Sequence, residues 1–295
     1  MTAAGGRIRG LAAVTTSSVE EARRRHDLFP TAAAALGRTM TAAALLGASL
    51  KGKEKVMLEV VGDGPLGRAV AEMTAGGLLR GYVQHPHVHL PPNRAGKLDV
   101  GGAVGRGHLY VTKDLNLREP YRGVVPLVSG EIGEDFAHYL LVSEQTPAAV
   151  SLGVLVETDN SIRASGGIAV QLLPGAGEEL AGLLEERMRG LTGISREIDR
   201  GVEPEAILQS ILDGLDPKEV GRTELAFRCT CSKERFSRGL AALGAEELLE
   251  ILESDGEAEL VCRFCAEKYH FSAEELRALI EELRSNRGGD GRGVD

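Results

Sequence analysis

The sequence predicts an α+β protein: an N-terminal mixed α/β core with a mainly antiparallel sheet, a helical linker, and a small C-terminal module built around four cysteines. Three observations carry this. Helical and extended patterns come in blocks over the first 176 residues instead of alternating as βαβ units. After Pro174-Gly175, leucines and isoleucines recur among charged residues at helical spacing. All four cysteines lie beyond residue 228. A chain of 295 residues exceeds the roughly 100 to 150 usual for one domain, so the expected division is 1–176 core, 177–224 linker and 225–295 C-terminal module.

The elements follow in order. Ser17 or Ser18 is expected to cap a short helix over Val19 to His26, and Thr31 after Pro30 to open an Ala-rich helix through Leu50. Strands are expected at Glu54 to Val61 and Leu66 to Met73, either side of the turn Gly62-Asp63-Gly64-Pro65, and at Leu78 to Val83 after Gly76-Gly77. Further strands are read at His108 to Lys113, Gly123 to Val128 and Ile162 to Leu173, with a helix from Glu131 to Ser143. Amphipathic helices are read over Glu178 to Arg187 and Glu203 to Leu212; helices this short need a surface to cover their apolar stripes. In the last module, Ser232 caps a helix through Leu243 and Ala245 to Leu252 forms another. Ser272 with Glu275 makes a capping box ahead of Leu276, Leu279 and Ile280, and the tail from Ser285 is expected to fray.

Composition excludes several classes. Hydrophobic residues at 43% and charged residues at 26% describe a globular chain rather than a disordered one. The apolar run Thr41 to Leu50 is broken by Gly47 and Ser49, so neither a signal peptide nor a membrane span is read, and the expected location is cytoplasmic. A net charge of -9, 4% aromatic residues and no Trp all argue against nucleic-acid binding.

The pattern Cys229-Thr-Cys231, then Cys262-Arg-Phe-Cys265, has the spacing of a tetrathiolate zinc site, because zinc accepts four sulfurs at tetrahedral corners. Such a shell leaves no open position for hydrolysis. A thioredoxin-type dithiol at Cys262 and Cys265 is the enzymatic alternative; that motif normally follows a strand in a βαβ unit and has no second pair. A structural knuckle that merely staples a binding adaptor is the bland one. Against it, a Cys-X-Cys disulfide closes a small, strained ring of the labile kind. Arg228, Lys233, Arg235, Arg238, Arg263 and Lys268 surround the sulfurs in sequence; they read equally as neighbours that favour thiolate and as solvated surface charge. From Gly221 on there are 11 Lys and Arg against 16 Asp and Glu, a balance of -5 that disfavours a nucleic-acid zinc ribbon.

Elsewhere the signals are weaker. Gly96, Gly101, Gly102, Gly105 and Gly107 lack the Gly-Lys-Ser/Thr ending of a phosphate loop and read as tight turns and close packing. His85, His87 and His89 alternate, but Pro86, Pro91 and Pro92 make the segment a loop with a packing role. His26 and His270 read as lone packing or cap residues. No nucleophile with a partnering base stands out, so no catalytic residue is assigned and an enzyme is not expected.

The cysteine pairs resemble those of the Hsp33 family of redox-regulated chaperones, and the resemblance extends along the chain. Glu21-Ala22-Arg23-Arg24-Arg25-His26, Gly62-Asp63-Gly64-Pro65-Leu66-Gly67, Gly81-Tyr82-Val83, Gly96-Lys97-Leu98-Asp99-Val100-Gly101, Ser143-Glu144-Gln145-Thr146-Pro147 and Gln171-Leu172-Leu173-Pro174-Gly175 are similar to its sequence blocks. The departure is at Met1 to Gly10, which is short and Gly-rich, and no first strand is assigned there. The resemblance implies an ATP-independent holdase, inactive while reduced and holding one Zn²⁺. Oxidation would pair Cys229 with Cys231 and Cys262 with Cys265, release zinc, unfold the C-terminal region and expose apolar surface to unfolded client proteins. It also implies a homodimer on oxidation.

Overall fold

In a computed structural model, which describes residues 1–191 and 193–289, the chain divides into two units, Met1–Arg228 and the part from Cys229 on. The first unit begins with β1 (Thr2–Ala3), β2 (Ile8–Val14), α1 (Thr16–His26) and α2 (Pro30–Gly47). Then come β3 (Lys55–Gly62), β4 (Arg68–Thr74), β5 (Leu78–Val83), α3 (Val100–Val104), β6 (Gly107–Asp114) and β7 (Tyr121–Pro126). It continues through α4 (Ile132–Val142), β8 (Ala148–Val156), β9 (Ile162–Leu172), α5 (Glu178–Arg189), α6 (Ile194–Asp199), α7 (Pro204–Ile211) and β10 (Ala226–Phe227).

Two sheets sandwich α2. One has the order β1-β2-β9-β8, the other β10-β5-β4-β3-β6-β7. Every pairing is antiparallel except that of β10 with β5, as the mainly antiparallel sheet expected from the sequence requires. α2 packs on β3, β4 and β5 on one side and on β2, β8 and β9 on the other. Its buried alanines, Ala32 to Ala35 and Ala42 to Ala44, let both sheets approach closely while keeping high helix propensity. Facing it, Val56, Leu58 and Val60 on β3 alternate inward with the period of a strand.

The outer face of the four-stranded sheet is covered as well. Ala3, Ile8, Ile168 and Val170 form one apolar cluster with Leu184 of α5, Ile194 of α6, and Ile207, Leu208 and Ile211 of α7. The stripes read between residues 178 and 215 therefore find their cover on β2 and β9. Arg163 Nε donates to Asp199 Oδ1 at 2.5 Å, and Arg187 caps the end of α7 by donating to the carbonyls of Ile211 and Asp213.

The second unit holds α8 (Lys233–Ala241), α9 (Ala245–Ser254), the hairpin β11 (Ala258–Val261) and β12 (Lys268–Phe271), and α10 (Ala273–Gly289). Its core is small: Leu240, Ala245, Leu248, Phe271, Leu276 and Ile280.

Several expectations are corrected. α1 starts at Thr16 behind Thr15, and neither Ser17 nor Ser18 caps it; Ser18 is a buried residue inside the helix. Thr31 lies within α2, whose first residue is Pro30, and its hydroxyl accepts from the Leu90 amide at 3.1 Å. α2 stops at Gly47, where a Cβ would sit 2.4 Å from Met73 Cγ. The sequence reading assigns no strand at β1, β2, β8, β10, β11 or β12. β8 is packed on both faces, by α2 and α4 and by α5 and α6, so its run Ala-Ala-Val-Ser-Leu-Gly-Val-Leu-Val lacks the alternation that marks a half-exposed strand. The tail expected to fray from Ser285 continues α10 to Gly289, and the rest of that expectation lies outside the described residues.

Gly37, on α2, has no room for a side chain: a Cβ there would lie 2.7 Å from Val154 Cγ2 and 2.9 Å from Val19 Cγ1. Gly37→Ala should destabilise the first unit by about 1–3 kcal/mol through overpacking. Gly182, inside α5, meets nothing within 4 Å, so Gly182→Ala should stabilise by up to about 1 kcal/mol. Urea unfolding midpoints of the two variants should move in opposite directions.

Candidate metal centre

The first pair of cysteines precedes α8. Ser232 caps that helix, its hydroxyl accepting from the Arg235 amide at 3.3 Å, and this cap sets where Cys231 leaves the chain. Arg235 Nη1 donates back to the carbonyl and hydroxyl of Thr230 at 3.3 Å, bracing the residue between the two sulfurs. The second pair sits on the turn between β11 and β12. There the Cys262 amide donates to the Glu267 carbonyl at 2.9 Å and the Ala266 amide to the Cys262 carbonyl at 2.8 Å. Ala266 takes a left-handed backbone, φ 56°, which closes the turn.

Contacts around these segments hold them to the unit's core. The ring of Tyr269 on β12 lies 4.8 Å from that of Phe236 on α8. Lys233 Nζ donates to Glu275 Oε1 at 2.5 Å and sits 5.1 Å over the Phe271 ring. The capping box is present in both directions, with the Ser272 amide donating to Glu275 Oε2 at 2.9 Å and the Glu275 amide to Ser272 Oγ at 3.3 Å.

The four sulfurs converge. All lie within 4.8 Å of one another, with Cys229 Sγ 3.8 Å from Cys262 Sγ and Cys231 Sγ 3.3 Å from Cys265 Sγ. Sulfurs about 2.3 Å from a zinc ion at tetrahedral corners lie about 3.8 Å apart, so the cluster fits that ion, and both separations far exceed the roughly 2 Å of a disulfide. Among the described residues, this is the only group of three or more His, Cys, Asp or Glu placed to share a metal ion.

Electrostatics at the site differ from the thiolate-favouring reading of the basic neighbours. Burial pushes the thiols of both Cys262 and Cys265 up. Three of the six basic neighbours are engaged elsewhere: Lys233 is paired with Glu275, Arg235 is bonded to Thr230, and Lys268 is paired with Glu259 at 3.0 Å. Main-chain donors help the thiolates, the Phe264 and Cys265 amides at Cys262 Sγ and the Glu267 amide at Cys265 Sγ. Four crowded sulfurs nonetheless favour ionisation together only when a cation is among them. Cys231 Sγ also accepts from the Tyr269 hydroxyl at 3.1 Å, a partner the sequence reading missed. The one sequence-level sign of it was the position of Tyr269 four residues after Cys265, on a strand returning past the first pair.

The other candidates stay apart. His87 Nε2 faces Asp27 Oδ2 at 3.1 Å, His89 Nδ1 faces Thr31 Oγ1 at 3.2 Å, and His85 Nε2 faces Gln84 Nε2 at 3.3 Å. His270 pairs with Glu257 at 2.8 Å. The glycines of 96–107 serve close packing: a Cβ on Gly107 would fall 1.9 Å from the Val61 carbonyl oxygen.

Fold and site together define an α+β protein carrying a small C-terminal module organised around four cysteine sulfurs placed to share a metal ion. Comparison with known sequences places it further. The chain belongs to the Hsp33 family: the family described as "Hsp33 protein" matches residues 1–272. It is 52% identical to the 33 kDa chaperonin of Desulforamulus reducens over 281 residues, covering 95% of this chain and 96% of that one. The 33 kDa chaperonin of Bacillus subtilis is 48% identical over 278 residues, covering 94% and 95%. The crystal structure of the 33 kDa chaperonin from Thermotoga maritima matches with a TM-score of 0.89 and 38% identity, covering 97% of both chains. The resemblance read from the sequence blocks is thus correct, and the family is one of chaperones.

Removing a ligand should be costly, since tetrathiolate sites supply on the order of 10 kcal/mol of folding free energy in zinc-finger peptides. Cys265→Ser should purify without stoichiometric zinc and show loss of the second unit's amide dispersion by NMR, while the first unit's signals persist. Full zinc content in that variant would refute the ligand assignment.

Proposed function

We propose that this chain is a redox-regulated, ATP-independent holdase. The observation that carries the reading is the approach of four cysteine sulfurs to within 4.8 Å in a unit with few buried apolar side chains. The same four atoms can share a metal ion or pair with one another, and so small a core is poorly placed to survive losing its staple.

In the reduced state Cys229, Cys231, Cys262 and Cys265 hold Zn²⁺, which when bound supplies a closed shell tying the segment before α8 to the turn between β11 and β12. Oxidation pairs Cys229 with Cys231 and Cys262 with Cys265. Each disulfide forms with transfer of two electrons to an oxidant such as hydrogen peroxide, which is reduced to two waters. All four ligands are consumed, and residues near 225 to 285 lose their fold. Unfolding then reaches the linker, 177–224. Release of α5, α6 and α7 would bare their own leucines and isoleucines together with Ile8, Ile168 and Val170 on the sheet beneath. A contiguous apolar surface of that kind suits unfolded clients of varied sequence.

The chain acts in the cytoplasm and pairs as a homodimer when oxidised; among the described residues no helix is long and apolar enough to cross a membrane. The net charge of -9 is unfavourable for a nucleic-acid partner.

Light scattering of a thermally unfolded client tests the reading, run with zinc-loaded reduced protein and with peroxide-treated protein while a chromogenic chelator reports zinc. Zinc release and suppression of scattering should rise together, and only after oxidation. Peptide mapping should find the sequence-adjacent disulfides rather than Cys229–Cys262 and Cys231–Cys265, the pairs at 3.8 and 3.3 Å in the folded site. Zinc loss without client protection would leave a structural staple and defeat the holdase reading; catalytic turnover of a disulfide substrate would favour an oxidoreductase.

A further inference from the structure

We infer that Tyr269 is a positioning residue of the metal centre, its hydroxyl holding Cys231 Sγ in place and damping the reactivity of that sulfur toward oxidants. The inference rests on reading the cluster as a thiolate metal centre that oxidation opens. Its geometry is specific. Tyr269 lies on β12 opposite Leu260 of β11, its ring rests 4.8 Å from that of Phe236 on α8, and its hydroxyl donates to Cys231 Sγ at 3.1 Å. Strand and helix therefore fix the donor, and the donor reaches the sulfur that stands immediately before the helix. Cys231 in turn is 3.3 Å from Cys265, so the phenol bridges the first cysteine pair to the hairpin that carries the second.

Chemistry gives this contact a role beyond packing. The sulfurs of Cys262 and Cys265 take main-chain amide donors, which no side-chain change removes. Cys231 takes a side-chain hydroxyl, and it is half-buried where Cys262 and Cys265 are buried, so an oxidant reaches it more readily. Attack of the Cys231 thiolate on hydrogen peroxide forms an S–O bond and breaks the O–O bond, giving a sulfenic acid and hydroxide. A second cysteine thiolate then displaces hydroxide from that sulfur and the disulfide forms. A hydrogen bond to the attacking sulfur stabilises the lone pair that must be donated, which lowers its nucleophilicity, and it fixes the sulfur's place among the four, which aids metal retention. The hydroxyl of Tyr269 thus sets how much oxidant opens the site.

Tyr269→Phe tests this in the full chain, because it keeps the ring against Phe236 and removes only the hydroxyl. In the cobalt(II)-loaded protein the thiolate-to-cobalt charge-transfer bands should move to lower energy. Loss of a second-shell partner should weaken zinc retention against a chelator by about tenfold. Peroxide should modify Cys231 several-fold faster relative to Cys262, read by alkylation and mass spectrometry. Should the Phe variant fold poorly, 3-fluorotyrosine at position 269 keeps the ring and makes a stronger donor, and all three readouts should shift the opposite way. Unchanged bands, affinity and Cys231 rate in Tyr269→Phe would overturn the inference. A parent protein without thiolate-to-cobalt bands would overturn it together with the metal-centre reading, whereas zinc loss without client protection bears on the holdase reading alone.

Discussion

Four cysteine sulfurs within 4.8 Å of one another are the point on which the second unit's two cysteine-bearing segments converge. Thiols at that spacing, two of them buried, gain little from each other and resist ionisation. With a cation they become the strongest link between two stretches of chain some thirty residues apart. Everything around them serves that convergence: a capped helix start behind Cys231, a left-handed Ala266 closing the turn that carries Cys262 and Cys265, and a tyrosine hydroxyl reaching across from β12. On the proposed function, stability and chemical sensitivity reside in the same four atoms.

The first unit is held by other means. Its centre is an alanine-rich helix between two sheets, where burial is nearly complete and small side chains leave no slack. Cohesion of that kind does not respond to oxidants. On the proposed function the contrast divides labour along the chain, with a durable scaffold before residue 229 and a unit after it whose fold answers to redox chemistry.

Between these two characters lie α5, α6 and α7. They belong to the first unit by contact, since their leucines and isoleucines pack on β2 and β9, yet they are short helices rich in glycine boundaries and held by few polar ties such as Arg163 with Asp199. On the proposed function this layer is the cover that detaches from the sandwich beneath it. Among the described residues, the apolar cluster they form with the sheet has more buried members than the core of the second unit.

Much of this was legible in the amino-acid sequence. Cysteine spacing is a local chemical fact, so the ligand set could be named at once, as could the Ser272–Glu275 capping box and the meander of β3, β4 and β5, each set by residues close together in the chain. What depended on distant partners was not legible. β8 reads as a featureless apolar run because helices cover both its faces, and β2 is a strand because β9 pairs with it from more than 150 residues away. The sequence allowed Lys233, Arg235 and Lys268 to favour thiolate; tertiary structure committed them to Glu275, Thr230 and Glu259 instead, because charge follows geometry rather than order along the chain. By itself, then, the sequence determined which atoms can hold a metal. Only the tertiary structure decided what surrounds them, since hydrogen bonds such as Tyr269 to Cys231 exist only once strand and helix have packed.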